Sequence, residues 1–461
     1  MLMKSKFFKN AIILTISGII VRIIATVFNV YISKKIGTEA LGVYQMLMSV
    51  YLFCINVAVS GLGLTAIKLV SREEALKNTE NTARIIYKIL LYSLIMGIFA
   101  GILLILTSNY IAIHVLKNIV SEKVIYILGV SLPFLSMSNS LNGYFTGKRK
   151  ILNNSILQVA DQLVKVIIMT FLLGIYLPGD IENACIALVL GDTICEFFFF
   201  ILSYILFKLE KIQVRNIKKD NKVGREIIKI AFPVAITSSI RSGLNAIKQV
   251  AIPTSLEKAD MSYKRAISEY GIVTGLAIPI VTFMSVFIQP VSSLLLPEFS
   301  EYKAKYNNEK INRTIERVLK VTLNYAICVM GGLWLFSDEL GEVIYENMVA
   351  GWYIKMLSPL VIFMYIDSTV DSMLRGLDKQ VGVMLCNILD LVISILFIYF
   401  VVPSFGVSGY IASIFLSTIL NSTISICILL KTTHFKFKLF EWIICPSIRR
   451  YYFSYNSKER R

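Results

Sequence analysis

Residues Ile85–Thr107 read IIYKILLYSLIMGIFAGILLILT, an unbroken apolar run with a single charge, Lys88. A helix rises about 1.5 Å per residue and the hydrocarbon core of a bilayer is roughly 30 Å thick, so about 20 such residues cross it. Working outward, segments of the same kind recur at 8–32, 43–68, 121–142, 153–176 and 183–207 on one side of the chain's midpoint. Beyond it they recur at 227–250, 271–296, 316–336, 354–374, 381–402 and 407–430. Of the 461 residues 56% are hydrophobic and only 17% charged, with a mean hydropathy of +0.68. The pattern predicts an all-α integral membrane protein of about 12 transmembrane helices.

The longest polar stretch, 208–226, divides the chain near its middle. The sequence therefore predicts an N-terminal six-helix lobe over 1–207, a basic linker over 208–226, a C-terminal six-helix lobe over 227–430 and a basic tail over 431–461. Lys and Arg concentrate in the N-terminus, 69–84, 147–150, the linker, 298–315, the turn near 378 and the tail. They are sparse in 33–42, 108–120, 177–182, 251–270, 337–353 and 403–406. Positive loops stay on the cytoplasmic side, so both termini are expected there, in a cell membrane. Lys4, Lys6 and Lys9 followed by an apolar run imitate a secretory signal, but Arg22 and the lack of a small-residue cleavage site favour a retained first span. In the tail, the apolar stretch Leu439–Pro446 is too short to cross. With Trp442, Lys438 and Arg449 it reads as an interfacial segment.

The net charge of +17 is spread over many loops rather than gathered into a basic stripe with interleaved aromatics, so no nucleic-acid partner is expected. Membrane lipid is the expected surroundings. The seven cysteines are isolated, and His114 and His434 lie far apart, which leaves no metal-ligand spacing and no plausible catalytic triad. Neither GxxxxGK[ST] nor HExxH occurs. The sequence predicts neither an enzyme nor a cofactor, and points instead to transport driven by an ion gradient or the membrane potential.

The informative residues are the polar ones within the apolar runs. Arg22, Thr26 and Asn29 share one helical face in the first span, and Arg241, Asn245 and Lys248 repeat the spacing in the seventh. A cation at the bilayer centre costs about 2.5–3.5 kcal/mol on insertion scales, so it must face water, a partner or a ligand. Two matched stripes suggest duplicated halves facing one cavity, with these six residues as substrate-binding candidates. Asp161 and Lys165 are spaced for a local ion pair. Asp192 and Glu196 share a face without a nearby cation in sequence, Asp367 and Asp371 precede Arg375 on another, and Asp390 sits within the eleventh span. Asp192, Glu196, Asp367, Asp371 and Asp390 are the candidates for coupling H+ or Na+, or for neutralising the cavity arginines. Pro133, Pro233 and Pro279 are candidate bending points.

Several stretches carry a family resemblance. Ser17–Met46 (SGIIVRIIATVFNVYISKKIGTEALGVYQM), Glu269–Ile280 (EYGIVTGLAIPI), Ser292–Glu301 (SSLLLPEFSE) and Leu374–Gln380 (LRGLDKQ) resemble the polysaccharide-exporting branch of the multidrug, oligosaccharidyl-lipid and polysaccharide exporter superfamily. Gln158–Val166 (QVADQLVKV) is similar to a motif of that branch that more often reads Glu-Gln-x-x-Arg. The resemblance covers about 7–430. It implies two six-helix lobes in a V with alternating access, shortened relative to a 14-helix family form, the tail being a remnant of a thirteenth helix. It also implies a flippase for a lipid-linked oligosaccharide or peptidoglycan precursor, connected with spore cortex formation. Arg22 corresponds to the family's first-span arginine, and a cationic cavity suits a pyrophosphate. The alternatives are an ion-coupled multidrug-type antiporter on the same fold and a non-transporting scaffold for cell-wall synthesis.

Overall fold

The computed structural model describes residues 2–59, 61–76, 79–148, 150–176, 180–210, 221–289 and 308–433, together with 292, 295, 298, 299, 302 and 303. The regular elements among them are helical. In order they are α1 (Leu2–Val59), α2 (Leu62–Ala75), α3 (Thr79–Tyr110), α4 (Glu122–Gly147), α5 (Ile151–Tyr176), α6 (Ile181–Leu209) and α7 (Asn221–Glu257). There follow α8 (Tyr263–Gly271), α9 (Ile278–Phe283), α10 (Asn308–Leu335), α11 (Met348–Leu357), α12 (Leu360–Gly376) and α13 (Gln380–Thr433). The tail beyond 433, most of the linker and most of 290–307 lie outside the described residues. So do the interfacial segment and the remnant helix expected in that tail.

Among the described residues nine helices are long and apolar enough to cross a membrane, or ten if α11 and α12, bent by 54°, form one crossing. Two of the nine, Thr15–Glu74 and Val381–Thr433, hold 60 and 53 residues, more than twice what a bilayer needs. Each is broken at a glycine: Gly37 (φ 78°, ψ 171°) and Gly406 (φ 56°, ψ −132°), backbone that a side chain would strain. Counting the pieces on either side separately gives the twelve crossings that the sequence predicts.

Several boundaries differ from expectation. The 43–68 span is interrupted at Gly61 (φ 67°), which caps α2. Most of the expected loop 251–270 is helix, because α7 runs on to Glu257 and the Ser262 side chain caps α8 by accepting from the Arg265 N–H. The 271–296 span changes pitch from a π-helical turn at Ile272–Ala277 to α9 and then a 3-10 turn at Met284–Phe287. Pro133 and Pro233 sit inside helices that continue past them. The breaks fall at glycines and at the Ser358–Pro359 turn between α11 and α12.

Packing defines two units. One comprises Met1–Pro279 with Ile344–Glu346 and Ser394–Tyr410; the other comprises Ile280–Val343, Asn347–Ile393 and Ile411–Arg461. Thus α7 and α8 pack with α1–α6, and the boundary between packing units falls after Pro279 rather than at 208–226. In the first unit α3 and α4 approach until a Cβ on Gly101 would lie 2.6 Å from the Gly129 carbonyl oxygen. Such contacts hold helices together in lipid, where burial of apolar surface supplies little drive. Leu62, Ala66, Leu69, Ile85, Ile89, Val223 and Ile227 join α2, α3 and α7. In the second unit, Ile311, Ile315, Leu319 and Leu323 form one ridge of α10 against Ile366, Val370, Met373 and Leu374 of α12. Leu91, Ile95, Phe99, Ile102 and Leu106 lie exposed along one face of α3, as a lipid-facing helix requires.

Candidate functional site

The first-span stripe lies on the part of α1 before Gly37 and its counterpart on α7, which approaches α1 beyond that break, where a Cβ on Gly243 would stand 3.2 Å from the Phe53 ring. Arg22 falls fifteen residues before Gly37 and Arg241 sixteen before Glu257, so by count along the chain the two stripes lie at similar distances from those points. Arg22, Thr26, Asn29, Asn245 and Lys248 are half-buried, whereas Arg241 is exposed. Asn29 has a structural partner: its Nδ2 donates to the Gly275 carbonyl at 2.8 Å. Pro279, four residues further on, has no N–H to give that carbonyl, so Asn29 supplies the donor that the α-helical ladder lacks.

A second polar group joins α5, α6 and the later part of α1. Asp192 is buried, accepts from the Tyr44 hydroxyl at 2.9 Å and forms an ion pair with Lys165. This corrects one expectation: the ion pair of Lys165 runs across to α6 rather than along its own helix to Asp161, and so supplies Asp192 with a cation that is distant in sequence. Asp161 and Glu196 lie close enough to feel the charges of Lys165 and Asp192. The group therefore holds three carboxylates and one ammonium, with the Tyr51 hydroxyl hydrogen-bonded to Ser131 at its edge.

The third group lies in the second unit. Asp367 accepts from Asn421 Nδ2 at 2.9 Å, Asp371 from the Ser425 hydroxyl at 3.2 Å, and Asp390 from the Ser417 hydroxyl at 2.9 Å. Asp371 also lies 3.9 Å from Arg375. Ser417, Asn421 and Ser425 recur every four residues on α13, a polar face visible in the sequence but overshadowed by the charged residues. These carboxylates are engaged within their own bundle. No group of three or more His, Cys, Asp or Glu side chains that could hold a metal ion occurs among the described residues.

Around Gly37, residues from before the linker meet residues from after it. Lys34 pairs with Glu346 at 2.7 Å, Glu39 with Lys264 at 3.2 Å, and Lys117 with Glu257 while its ammonium sits 4.0 Å from the Tyr263 ring centre. The charge and hydrogen bond of Lys34 hold the Glu346 carboxyl below the usual range. The Thr38 and Ser268 hydroxyls are 2.7 Å apart. Beneath them, a Cβ on Gly42 would lie 2.3 Å from the Ile267 carbonyl oxygen, and one on Gly271 2.3 Å from that of Thr38. Towards the other end of α7, the Arg72 guanidinium grips both oxygens of Glu226. None of these pairs was foreseen from sequence, because each joins positions more than 130 residues apart.

A family model described as polysaccharide biosynthesis protein matches residues 7–303. Stage V sporulation protein B of Bacillus subtilis (strain 168) is 23% identical over 458 residues, covering 96% of this chain and 87% of that protein. Lipid II flippase MurJ of the same organism is 20% identical over 424 residues, covering 85% and 77%. Among solved structures, the inward-facing conformation of a multidrug resistance MATE family transporter of the MOP superfamily superposes with a TM-score of 0.68 at 14% identity, covering 89% of this chain and 93% of that one. A MOP superfamily transporter from Pyrococcus furiosus, described as having a binding pocket of reverse polarity, superposes with a TM-score of 0.62 at 16% identity, covering 92% and 94%.

Proposed function

The chain belongs to the polysaccharide biosynthesis protein family, and from that premise we propose that this membrane transporter flips a lipid-linked oligosaccharide or peptidoglycan precursor across the cell membrane in support of spore cortex formation. The observation that carries the reading is the matched pair of stripes, Arg22–Thr26–Asn29 and Arg241–Asn245–Lys248, on one face each of two helices of the first unit. Arg22, Arg241 and Lys248 hold the pyrophosphate, since charge-assisted hydrogen bonds to phosphate oxygens are strong and Arg offers them in pairs. Thr26 and Asn245 supply neutral contacts. Asn29 does so at the expense of its bond to Gly275, which makes it a position where loading and helix packing are linked.

Alternating access fits the contacts around Gly37: breaking them opens the first unit on that face. The positive loops support an orientation with both termini in the cytoplasm and the Gly37 face outside. The six-plus-six lobes are the moving bodies of this reading, with α7 and α8 changing partners as the transporter turns over. Asp390 ranks first among the coupling-ion candidates, ahead of Asp367, Asp371, Asp192 and Glu196.

The test is translocation of a fluorescent polyprenyl-pyrophosphate-linked sugar in proteoliposomes by wild type, Arg22→Ala and Arg241→Ala at matched protein density. Each substitution should lower the rate at least tenfold, and wild-type rates in both would remove the stripes from the mechanism. Complementation of a spore-cortex defect addresses the biological role. A second reading, antiport of organic cations, draws support from the α5–α6 group, where three carboxylates outnumber one ammonium. Export of a lipophilic cation by a protein that leaves the lipid-linked sugar in place would favour it.

A further inference from the structure

The first turns of α10 carry charges that the helix itself does not need. Lys310, Arg313, Arg317 and Lys320 are all exposed, and at 3.6 residues per turn they fall within an arc of roughly 80°. The opposite ridge, Ile311, Ile315, Leu319 and Leu323, is buried against α12, so the orientation of the basic face is fixed by packing. Cations in the first turn of a helix oppose its dipole, so the helix gains nothing from them there. Glu309 relieves part of this, pairing with Arg313, and Glu316 flanks the face, which leaves a net charge of +2 over 308–320. The Lys310 ammonium also lies 6.0 Å from the Tyr302 ring centre. Arg375 and Lys379 are exposed at the neighbouring end of α12.

The position of the stripe along α10 says what it faces. The helix has 28 residues, roughly 42 Å at 1.5 Å each, against a hydrocarbon core of about 30 Å. Some 12 Å, about eight residues, therefore project beyond the core, and the exposed face turns apolar at Val321, immediately after Lys320. The basic arc ends where the apolar surface begins. Lys310 and Arg313 thus lie beyond the core, and Arg317 and Lys320, on the next two turns, reach the headgroups by extending their long side chains towards that end, all four on the face turned away from α12.

We propose that this face of α10 is a docking surface for the anionic phospholipid headgroups of the leaflet at the helix's amino-terminal end. Charge complementarity selects the occupant. Phosphate diesters and phosphatidylglycerol-type headgroups accept from guanidinium and ammonium donors, whereas zwitterionic headgroups bring their own cation. The surface is independent of the cavity residues and would hold α10 at a fixed height in an anionic leaflet.

The test uses the full chain in nanodiscs of phosphatidylcholine with increasing phosphatidylglycerol, reading bound phosphatidylglycerol by native mass spectrometry after gentle release. A basic residue near an anionic surface contributes about 1 kcal/mol, roughly fivefold in binding, so Arg313→Gln with Arg317→Gln should weaken retention by roughly 25-fold. Arg313→Lys with Arg317→Lys should keep most of it, and raised salt should weaken the wild type and flatten the difference. All four positions are exposed, so the melting temperature in pure phosphatidylcholine should match wild type in every variant. Undiminished phosphatidylglycerol retention by the glutamine variant, or equal retention of phosphatidylcholine by the wild type, would overturn the proposal. So would efficient displacement by inorganic phosphate at concentrations too low to screen charge, which would mark a site for free phosphate instead.

Discussion

Gly271→Ala is the most direct probe of the contacts around Gly37. The new Cβ would stand 2.3 Å from the Thr38 carbonyl oxygen, 2.8 Å from the Gly42 nitrogen and 3.0 Å from its Cα, all backbone atoms that no rotamer change removes. Ordinary contact begins near 3.4 Å, so α8 and the Thr38–Gly42 segment must separate by about 1 Å. Overpacking of this kind costs about 1–3 kcal/mol. If the structure is the state closed on this face, that cost falls on the closed state alone and raises the open-to-closed ratio roughly 5- to 150-fold. The assay is labelling of Thr26→Cys, in a background without other cysteines, by a membrane-impermeant maleimide. Gly271→Ala should speed labelling at least fivefold, and Gly42→Ala, which meets the Ile267 carbonyl oxygen at 2.3 Å, should do the same. Gly331→Ala is the control, since nothing lies within 4 Å of its Cβ. Unchanged labelling in both test variants, with melting temperatures equal to the parent, would refute the reasoning.

Three further outcomes follow from the polar contacts. Lys165→Met leaves buried Asp192 without its cation and should lower stability by about 3–5 kcal/mol, while adding Asp192→Asn should recover most of it; thermal melting in detergent checks this, and no recovery would dismiss the pair. Asn29→Ala should cost about 1–2 kcal/mol in the native chain and clearly less beside Pro279→Ala, which restores an N–H for the Gly275 carbonyl; additive losses in a double-mutant cycle would contradict that account. Glu210 is partly buried, which raises its carboxyl pKa, but bonds from Lys150, Lys148 and Tyr144 outweigh burial and hold it below the ordinary 4.5. A lowered folded-state value means stability that is fully present above about pH 4.5 and lost as the pH falls through the lowered value; the melting-temperature gap between wild type and Glu210→Gln should close on acidification, and a constant gap would count against it.

Topology was more legible than chemistry. The positive-loop count assigns 33–42, 108–120, 251–270 and 337–353 to one face, and Lys34, Glu39, Lys117, Glu257, Lys264 and Glu346 meet from those segments. On the opposite assignment, Arg72 reaches Glu226, Lys148 reaches Glu210, and Lys303 reaches Asp378. A loop's charge is a local property that hydrophobic spacing frames, so it can be read along the chain. Partner choice is not local. Lys165 has Asp161 one turn before it, yet pairs with Asp192 on the next helix, and only packing decides between them. Pitch was hidden for a related reason: Pro279 announces a missing donor, but that Asn29 would replace it from 250 residues away is a tertiary fact.

Corresponding positions in the two halves differ in charge, and the difference bears on which carboxylate would exchange an ion in the proposed transport cycle. Asp161 comes ten residues after the start of α5, and Asp390 comes ten residues after the start of α13. One turn further on stands Lys165 in the first case and Ser394 in the second. Across the helix pair, the first half offers Asp192 and the second offers the Ser417 hydroxyl, 2.9 Å from Asp390. In the first group Lys165 stands beside Asp192, while in the second the Ser417 hydroxyl donates to Asp390, which is only 8% exposed. A buried carboxylate at membrane depth can bind H+ or Na+ when its site opens, and on the proposed transport reading Asp390 is the candidate for that exchange. Asp390→Asn should therefore remove the dependence of transport on the driving ion, whereas Asp192→Asn should act mainly on stability through Lys165. Uptake measured in proteoliposomes under imposed proton and sodium gradients separates the two, and ion dependence that survives Asp390→Asn but vanishes in Asp192→Asn would reverse the assignment.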